Sequence, residues 1–503
     1  MKKVTIEKAA MSLPVRPLAM LMSLALSACA VGPNFHRPAT ALPEHYARQA
    51  TPDDTAAPDA ANAAFWQSFN DPELNRLIEQ ALAANNDLRA AMAHVDSANA
   101  LLRQDKLDLL PTVTASAQGG RNRLSDDQSF GFIPRTYDTY SGGINASWEL
   151  DLFGRVRRGI EAQRAETASS ADDLAALQVS VVGQLASTYV DLRGQQERLR
   201  VARENSANQR ETLRLVEARL VAGYNTDLDT ARARAQLETT SSHVPALEAL
   251  VAVDEHRLAV LTGKAPESLI AQLDTPAPLP ALPSSIDPGT PANLLRRRPD
   301  VAAAEERLHA ASARVGVATA DLFPRVSFSG LLGTYAFSHD ALFQNRSEND
   351  FALLGIDWSF LDIGRVRARL AASRADAAGL LASYQQTVLL GLEDTENALV
   401  RYQRGRYEND RLQHAAQDAT HAAELAKMQY EAGTIGLYEL LDAQRQMLMA
   451  QDACADSHTR SGTAAVALYQ ALAGGWPVVG SNAGTQRSAP SMNRIVTPRI
   501  GAK

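Results

Sequence analysis

The sequence predicts an α+β membrane protein in which several identical chains share one β-barrel, four strands from each chain, that continues as a long α-helical tube. Three observations predict it. The chain repeats itself at a fixed shift, each copy holds a Pro-free stretch far longer than a globular core needs, and two short alternating segments precede each of those stretches.

The repeat sets the boundaries of everything else. Asp87 and Asp300 lie 213 positions apart, as do Pro111 and Pro324. Trp148 and Trp358, Gly154-Arg155-Val156-Arg157 and Gly364-Arg365-Val366-Arg367, and Ala222-Gly223 and Ala432-Gly433 all keep a shift of 210, and Gly263 and Gly474 lie 211 apart. The two copies are read as residues 66–273 and 294–476. Residues 274–293 between them carry Pro276, Pro278, Pro280, Pro283, Pro288 and Pro291 and read as an extended linker. Residues 477–503 form a tail outside the repeat.

Ahead of the first copy, Lys2, Lys3, Lys8 and Arg16 precede the apolar run Leu18 to Leu26, which ends in Leu26-Ser27-Ala28-Cys29. That is the order of a secretory signal over residues 1–28, too short for a spanning helix of about 20 residues. Leu26 to Cys29 resembles a bacterial lipobox, in which Cys29 is acylated after cleavage. Residues 29–65 then form a lipidated N-terminal linker. Ala30, rather than Asp, after the Cys resembles the sorting rule for the outer membrane.

Within each copy the expected order is helix, two strands, long helix, turn, helix. Arg155 to Val221 and Arg365 to Ala432 lack Pro, and an uninterrupted helix of that length measures about 100 Å. Leu174, Leu177, Val181, Leu185 and Leu192, and in the second copy Leu381, Tyr384, Val388 and Leu392, recur at threes and fours, the narrow seam of helices packed side by side. Gly223 and Gly433 are expected to reverse the chain into antiparallel helices ending at Leu261 and Leu472.

The strands are expected at Pro111–Gly119, Tyr140–Trp148, Val326–Gly330 and Phe351–Phe360, where apolar and small polar residues alternate. Tyr137, Tyr140, Trp148, Tyr335, Phe337 and Trp358 lie near their ends, as in interfacial aromatic girdles. Four strands cannot close a barrel, since single-chain barrels begin at about eight, so several chains must contribute.

Leu294-Leu295-Arg296-Arg297-Arg298-Pro299-Asp300-Val301, Trp148-Glu149-Leu150-Asp151-Leu152-Phe153-Gly154-Arg155, Leu440-Leu441-Asp442-Ala443-Gln444-Arg445 and Val31-Gly32-Pro33-Asn34-Phe35 resemble the TolC-like outer-membrane efflux factors, in their lipoprotein branch of OprM and NodT type. The resemblance runs from Cys29 to about Trp476. It implies a homotrimer with a twelve-stranded barrel, a helical periplasmic barrel, and partnership with a periplasmic adaptor and an inner-membrane pump of RND, MFS or ABC type. The function implied is an exit duct for small molecules such as drugs or toxic compounds, lipid-anchored in the outer membrane. A non-conducting envelope scaffold and a duct for type I secretion of polypeptides are the alternatives.

The resemblance also implies a periplasmic gate on the helix after Gly433. Tyr438, Glu439, Asp442 and Arg445 share one face by their spacing, and in the relatives the positions of Asp442 and Arg445 hold the aperture shut. Asp229 and Glu439 are the equivalent acidic positions of the two copies, and the turns at Gly223 and Gly433 are the adaptor-contact tips. Ile435 stands where some relatives carry a second gating Arg.

Composition excludes several other classes. With 50 Lys and Arg against 57 Asp and Glu, the net charge of −7 gives no basis for a nucleic-acid partner. Cys29 and Cys454 are too few for a thiolate metal site, the ten His are scattered, and Glu305-Glu306 reads as a solvated helix face. Thr262-Gly263-Lys264-Ala265 lacks the features of a phosphate loop. No enzymatic activity, cofactor or metal is expected. Met428, Met447 and Met449 read as core filler on a helical seam.

Overall fold

The computed structural model describes residues 30–40, 42–47, 65–128, 134–282 and 286–472. The signal segment, Cys29 and the tail from 477 onward lie outside the described residues. The first copy comprises α1 (Pro72–Ala84), α2 (Asn86–Leu107), β1 (Thr112–Arg123), β2 (Thr136–Leu150), α3 (Arg155–Val221) and α4 (Asp227–Leu261). The second comprises α5 (Pro291–Arg297), α6 (Pro299–Ala320), β3 (Arg325–Ala336), β4 (Glu348–Asp357), α7 (Ile363–Glu431) and α8 (Leu437–Ala471). No described helix is long and apolar enough to cross a membrane.

The long helices start and stop where local chemistry dictates. Asp151 caps α3, accepting from the backbone N–H of Val156 and of Arg157. At its far end Gly223 takes φ +80°, Gly223 N–H donates to Leu220 O, and Tyr224 N–H donates to Arg219 O. Gly433 repeats this at φ +74° with Tyr430 O and Gln429 O as acceptors. Both turns are the Schellman closure that a left-handed glycine permits. Pro245 sits inside α4, where it leaves one backbone carbonyl without its helical donor.

The strands form one antiparallel sheet in the order β1-β2-β3-β4. β4 ends at Asp357, so Trp358 and Phe360 lie beyond it, contrary to the sequence expectation; Phe360 begins a short 3-10 turn instead. Directly paired residues share a face, and the register sorts most of the sheet into an apolar and a polar side. One face carries Val113, Ala115, Ile144, Ala146, Val326, Phe328, Leu332, Leu354 and Ile356, and the other Thr112, Thr114, Ser116, Asn145, Ser147, Ser327 and Ser329. An apolar outer face and a polar inner face are what a membrane-spanning barrel requires. Among the described residues β1 and β4 are each paired on one side only.

Aromatic residues mark both ends of the sheet. Tyr137, Tyr335 and Phe337 cluster at one end, with ring centroids 5.8 and 5.6 Å apart. At the other end Trp148 Nε1–H donates to Leu109 O at 3.0 Å, and Trp358 Nε1–H donates to Leu322 O at 3.1 Å. Each Trp thereby ties the end of its strand segment to the helix that entered the preceding one.

The largest core lies halfway down, where α1 crosses the middle of α3 and the ends of α4 and α8 converge. Phe65, Phe69, Leu74, Leu185, Tyr189, Leu258 and Tyr469 are fully buried there, and Phe65 stacks on Tyr469 at 4.8 Å. Residues 274–282 lie against this core, with Arg193 donating to Leu273 O and Thr275 O. In a single chain α7 leaves Leu389, Leu390, Tyr407, Leu425 and Met428 exposed. Met428 and Met449 are therefore not core filler within the chain, because the seam they occupy faces outward. Arg298, at the start of α6, is nearly buried and bridges Asp300 and Asp394.

Candidate functional site

The turns after α3 and α7 lie side by side at the tip, beneath a small buried cluster of Val216, Ala233, Tyr430, Leu437 and Leu440. Between them opens a groove of about 890 Å³, whose lining includes Arg219, Tyr224, Asp229, Arg232, Tyr438 and Glu439. Gly433 borders the groove, and a Cβ added at either Gly433 or Gly223 would meet nothing within 4 Å.

Of the residues expected at the gate, Asp442 and Arg445 do meet: Arg445 Nη2 donates to Asp442 Oδ1 at 2.5 Å, with both side chains well exposed. Tyr438 projects from the same helix and is 66% exposed. Asp229 is engaged elsewhere. Its carboxylate accepts from the N–H and hydroxyl of Thr226, and its own N–H donates back to Thr226 Oγ1, a complete capping box at the start of α4. Those bonds hold the Asp229 carboxyl below its ordinary pKa. Glu439 occupies the equivalent third position of α8, where the cap residue is Gly436. Ile435 is partly buried against the tip cluster, a packing role rather than a charged one.

Sequence reasoning missed the contact that joins the two turns. Arg219, in the last turn of α3, donates to Tyr430 O at 2.9 Å and Glu431 O at 3.0 Å, and its guanidinium lies 4.2 Å from the Tyr430 ring centroid. It caps the C-terminal carbonyls of α7 from a neighbouring helix, where a cation is favoured. Asn225 Nδ2–H donates to the Tyr430 hydroxyl at 3.0 Å. The one available signal was a break in the repeat, since Gln429 stands 210 positions after Arg219.

The segment following Cys29 runs from the foot of the sheet toward the middle core. Val31 N–H donates to Phe153 O at 3.1 Å, Arg158 reaches Val31 O and Asn34, and Phe35 stacks on His309 at 4.5 Å. Arg37 pairs with Glu305 at 2.7 Å, and Glu306 meets His309. Glu305 is therefore not part of a simple solvated face, because Arg37 of the N-terminal segment pairs with it. Burial pushes the Glu305 carboxyl above its ordinary pKa. Among the described residues no group of His, Cys, Asp and Glu could hold a metal ion.

A sheet with an apolar face and a polar face, continued by helices of about 100 Å, defines a class: channel proteins that cross the outer membrane as a shared barrel and extend from it as a tube. The chain belongs to the outer membrane efflux proteins, whose family model matches residues 77–264 and 290–474. It is 32% identical over 460 residues to the outer membrane protein OprJ of Pseudomonas aeruginosa, covering 91% of this chain and 95% of OprJ. It is 30% identical over 435 residues to nodulation protein T of Rhizobium leguminosarum bv. trifolii, covering 85% of this chain and 91% of that protein. The solved structure of the outer-membrane channel OprN shares 40% identity at a TM-score of 0.80, covering 89% of this chain and all of that one. The protein is an efflux channel of the outer membrane, with its helical part in the periplasm.

Proposed function

We propose that the chain is the exit duct of a tripartite efflux system, working as a homotrimer whose periplasmic end is shut by Asp442 and Arg445. The adaptor would engage the turns at Gly223 and Gly433, with an inner-membrane pump of RND, MFS or ABC type supplying small molecules such as drugs or toxic compounds. Cys29 would carry the lipid anchor, since the segment beginning one residue later reaches Phe153 at the foot of the sheet.

The observation that carries the gate is the 2.5 Å pair between Arg445 and Asp442 on an outward face of α8, within three turns of the tip. As an isolated exposed pair it is worth only about 0.5 kcal/mol. Around a narrow threefold axis it means more. Three acidic and three basic groups there balance one another, and Asp442→Ala alone leaves three arginines facing each other where screening is weaker than in bulk. The closed state should lose on the order of 1–3 kcal/mol.

The test is single-channel conductance in planar bilayers. Asp442→Ala should conduct more than the parent while remaining a trimer in detergent, and the host should become sensitive to bulky antibiotics. Unchanged conductance in both Asp442→Ala and Arg445→Ala would show that closure resides elsewhere. For the anchor, Cys29→Ser should abolish incorporation of labelled palmitate.

A further inference from the structure

The polar inner face of the sheet is interrupted in one place. Leu331 pairs directly with Phe351, and Leu353 follows two residues along β4 on the same face, opposite Ser329. Phe351 is 49% and Leu353 58% exposed. Leu331 lies flat over glycine, its Cδ1 standing 2.9 Å from where a Cβ of Gly143 would be.

The strands do not require this patch. The same two rows exist in the first copy, where Gln118 pairs with Ser141 and Gly143 follows on β2. Gln118, Ser141 and Gly143 precede Leu331, Phe351 and Leu353 by 213, 210 and 210 positions, the shifts of the repeat itself. One copy keeps the face polar with the same register; the other makes it apolar. Exposing large apolar side chains to a water-filled lumen is unfavourable, and an exposed apolar patch rimmed by polar groups is the usual mark of a contact surface.

We propose that Leu331, Phe351 and Leu353 form a contact station, halfway along the barrel, for the apolar part of small amphiphilic solutes in transit. The position argues for that occupant, because the patch lies on the conducting path of an efflux channel. Its flanks argue likewise. Asn145 and Ser329, paired across the sheet with Leu331 and Leu353, offer neutral hydrogen-bonding groups, and the two rows from Thr112 and Thr114 to Leu353 and Phe351 contain no charged side chain. Such a site recognises apolar surface without regard to charge sign, and a single shallow contact per chain holds a solute weakly enough to release it.

The experiment uses the full-length protein in outer-membrane vesicles with Ser329→Cys as a reporter, its modification read at the peptide that carries it. A membrane-impermeant thiosulfonate should label it, as expected of a lumen position; labelling only by a lipid-soluble reagent would overturn the proposal. Tetraphenylphosphonium should slow that labelling several-fold, while tetramethylammonium should not. Adding Leu331→Gln and Phe351→Ser, which transplant the first copy's own pair, should abolish the protection. Equal slowing by the two cations, no slowing by either, or protection that survives the transplant would each overturn it. The protection measured before the transplant is independent of how well the transplanted chain folds.

Discussion

Asn85 and Arg298 are equivalent residues of the two copies, and each donates a side-chain N–H to the last carbonyl region of its own copy's final helix. Asn85 Nδ2 reaches Leu261 O at 3.0 Å, and Arg298 Nη1 reaches Ala471 O at 3.2 Å. Each residue also stands as the N-cap of the helix leading to the strands. The ends of each copy are thus tied by one side chain, although the two side chains share no chemistry beyond an N–H donor.

Arg298→Ala should therefore cost about 2–4 kcal/mol, since it leaves Asp300, Asp394 and the Ala471 carbonyl without a donor they now share. Arg298→Asn, which copies the first repeat, should cost less because Asn caps a helix as Asn85 does. Chemical denaturation of the two variants in detergent compares them, and equal losses would refute the equivalence.

Two glycines of the same backbone conformation should respond differently to alanine. Gly223 has open space where an added methyl would stand, whereas a Cβ on Gly263, at φ +74°, would stand 2.3 Å from Ala84 O. Gly223→Ala should cost about 1 kcal/mol, the left-handed penalty alone. Gly263→Ala adds a backbone collision and should cost about 2–4 kcal/mol. Thermal unfolding of both resolves the difference.

Asp254 on α4 faces Asp191 on α3, and burial together with that neighbour pushes its carboxyl up to about 7. Burial raises Asp191 as well. Because the folded-state value lies above the ordinary 3.8, the group favours folding in its protonated form. Its penalty is absent below about pH 4 and grows until the folded state also ionises near pH 7. Discounted for partial exposure, the loss is on the order of 2 kcal/mol. Melting temperature should fall between about pH 4 and pH 7 and level off above, and Asp254→Asn should flatten that profile.

Arg219→Ala removes both carbonyl contacts and the ring contact at once and should destabilise the tip by about 1–2 kcal/mol. Tyr430→Phe keeps the ring and loses only the hydroxyl that Asn225 engages, so its effect should be smaller. Hydrogen exchange at residues 428–436 reports both; equal protection in Arg219→Ala and the parent would show that the turns are held by the apolar cluster alone.

Much of this architecture was legible because its signals are periodic and long. The absence of Pro from 155 to 221 and the glycines at 223 and 433 marked the rods, whose ends depend on local turn chemistry. Pro245 was compatible with a helix only because packing of α4 along α3 overrides its cost. The Asp442–Arg445 ion pair was visible as a spacing on one helix. Arg219 and Tyr430 were not, since their partnership depends on how two turns 210 residues apart are placed, and no local pattern encodes that. Asp229 lines the tip groove and also closes a capping box with Thr226, a local role that its position three after a Thr encodes.

The unpaired edges of β1 and β4 bear on biogenesis. A lone chain arriving at the membrane would carry two rows of unsatisfied amide and carbonyl groups, which hydrocarbon does not tolerate. Insertion must therefore wait for, or accompany, the meeting of chains, and its rate should climb more steeply than linearly with the supply of newly exported protein. Before that encounter each subunit is a sticky, half-finished sheet, so scarcity of the protein would delay its maturation disproportionately, while a chaperone shielding those edges would hasten it.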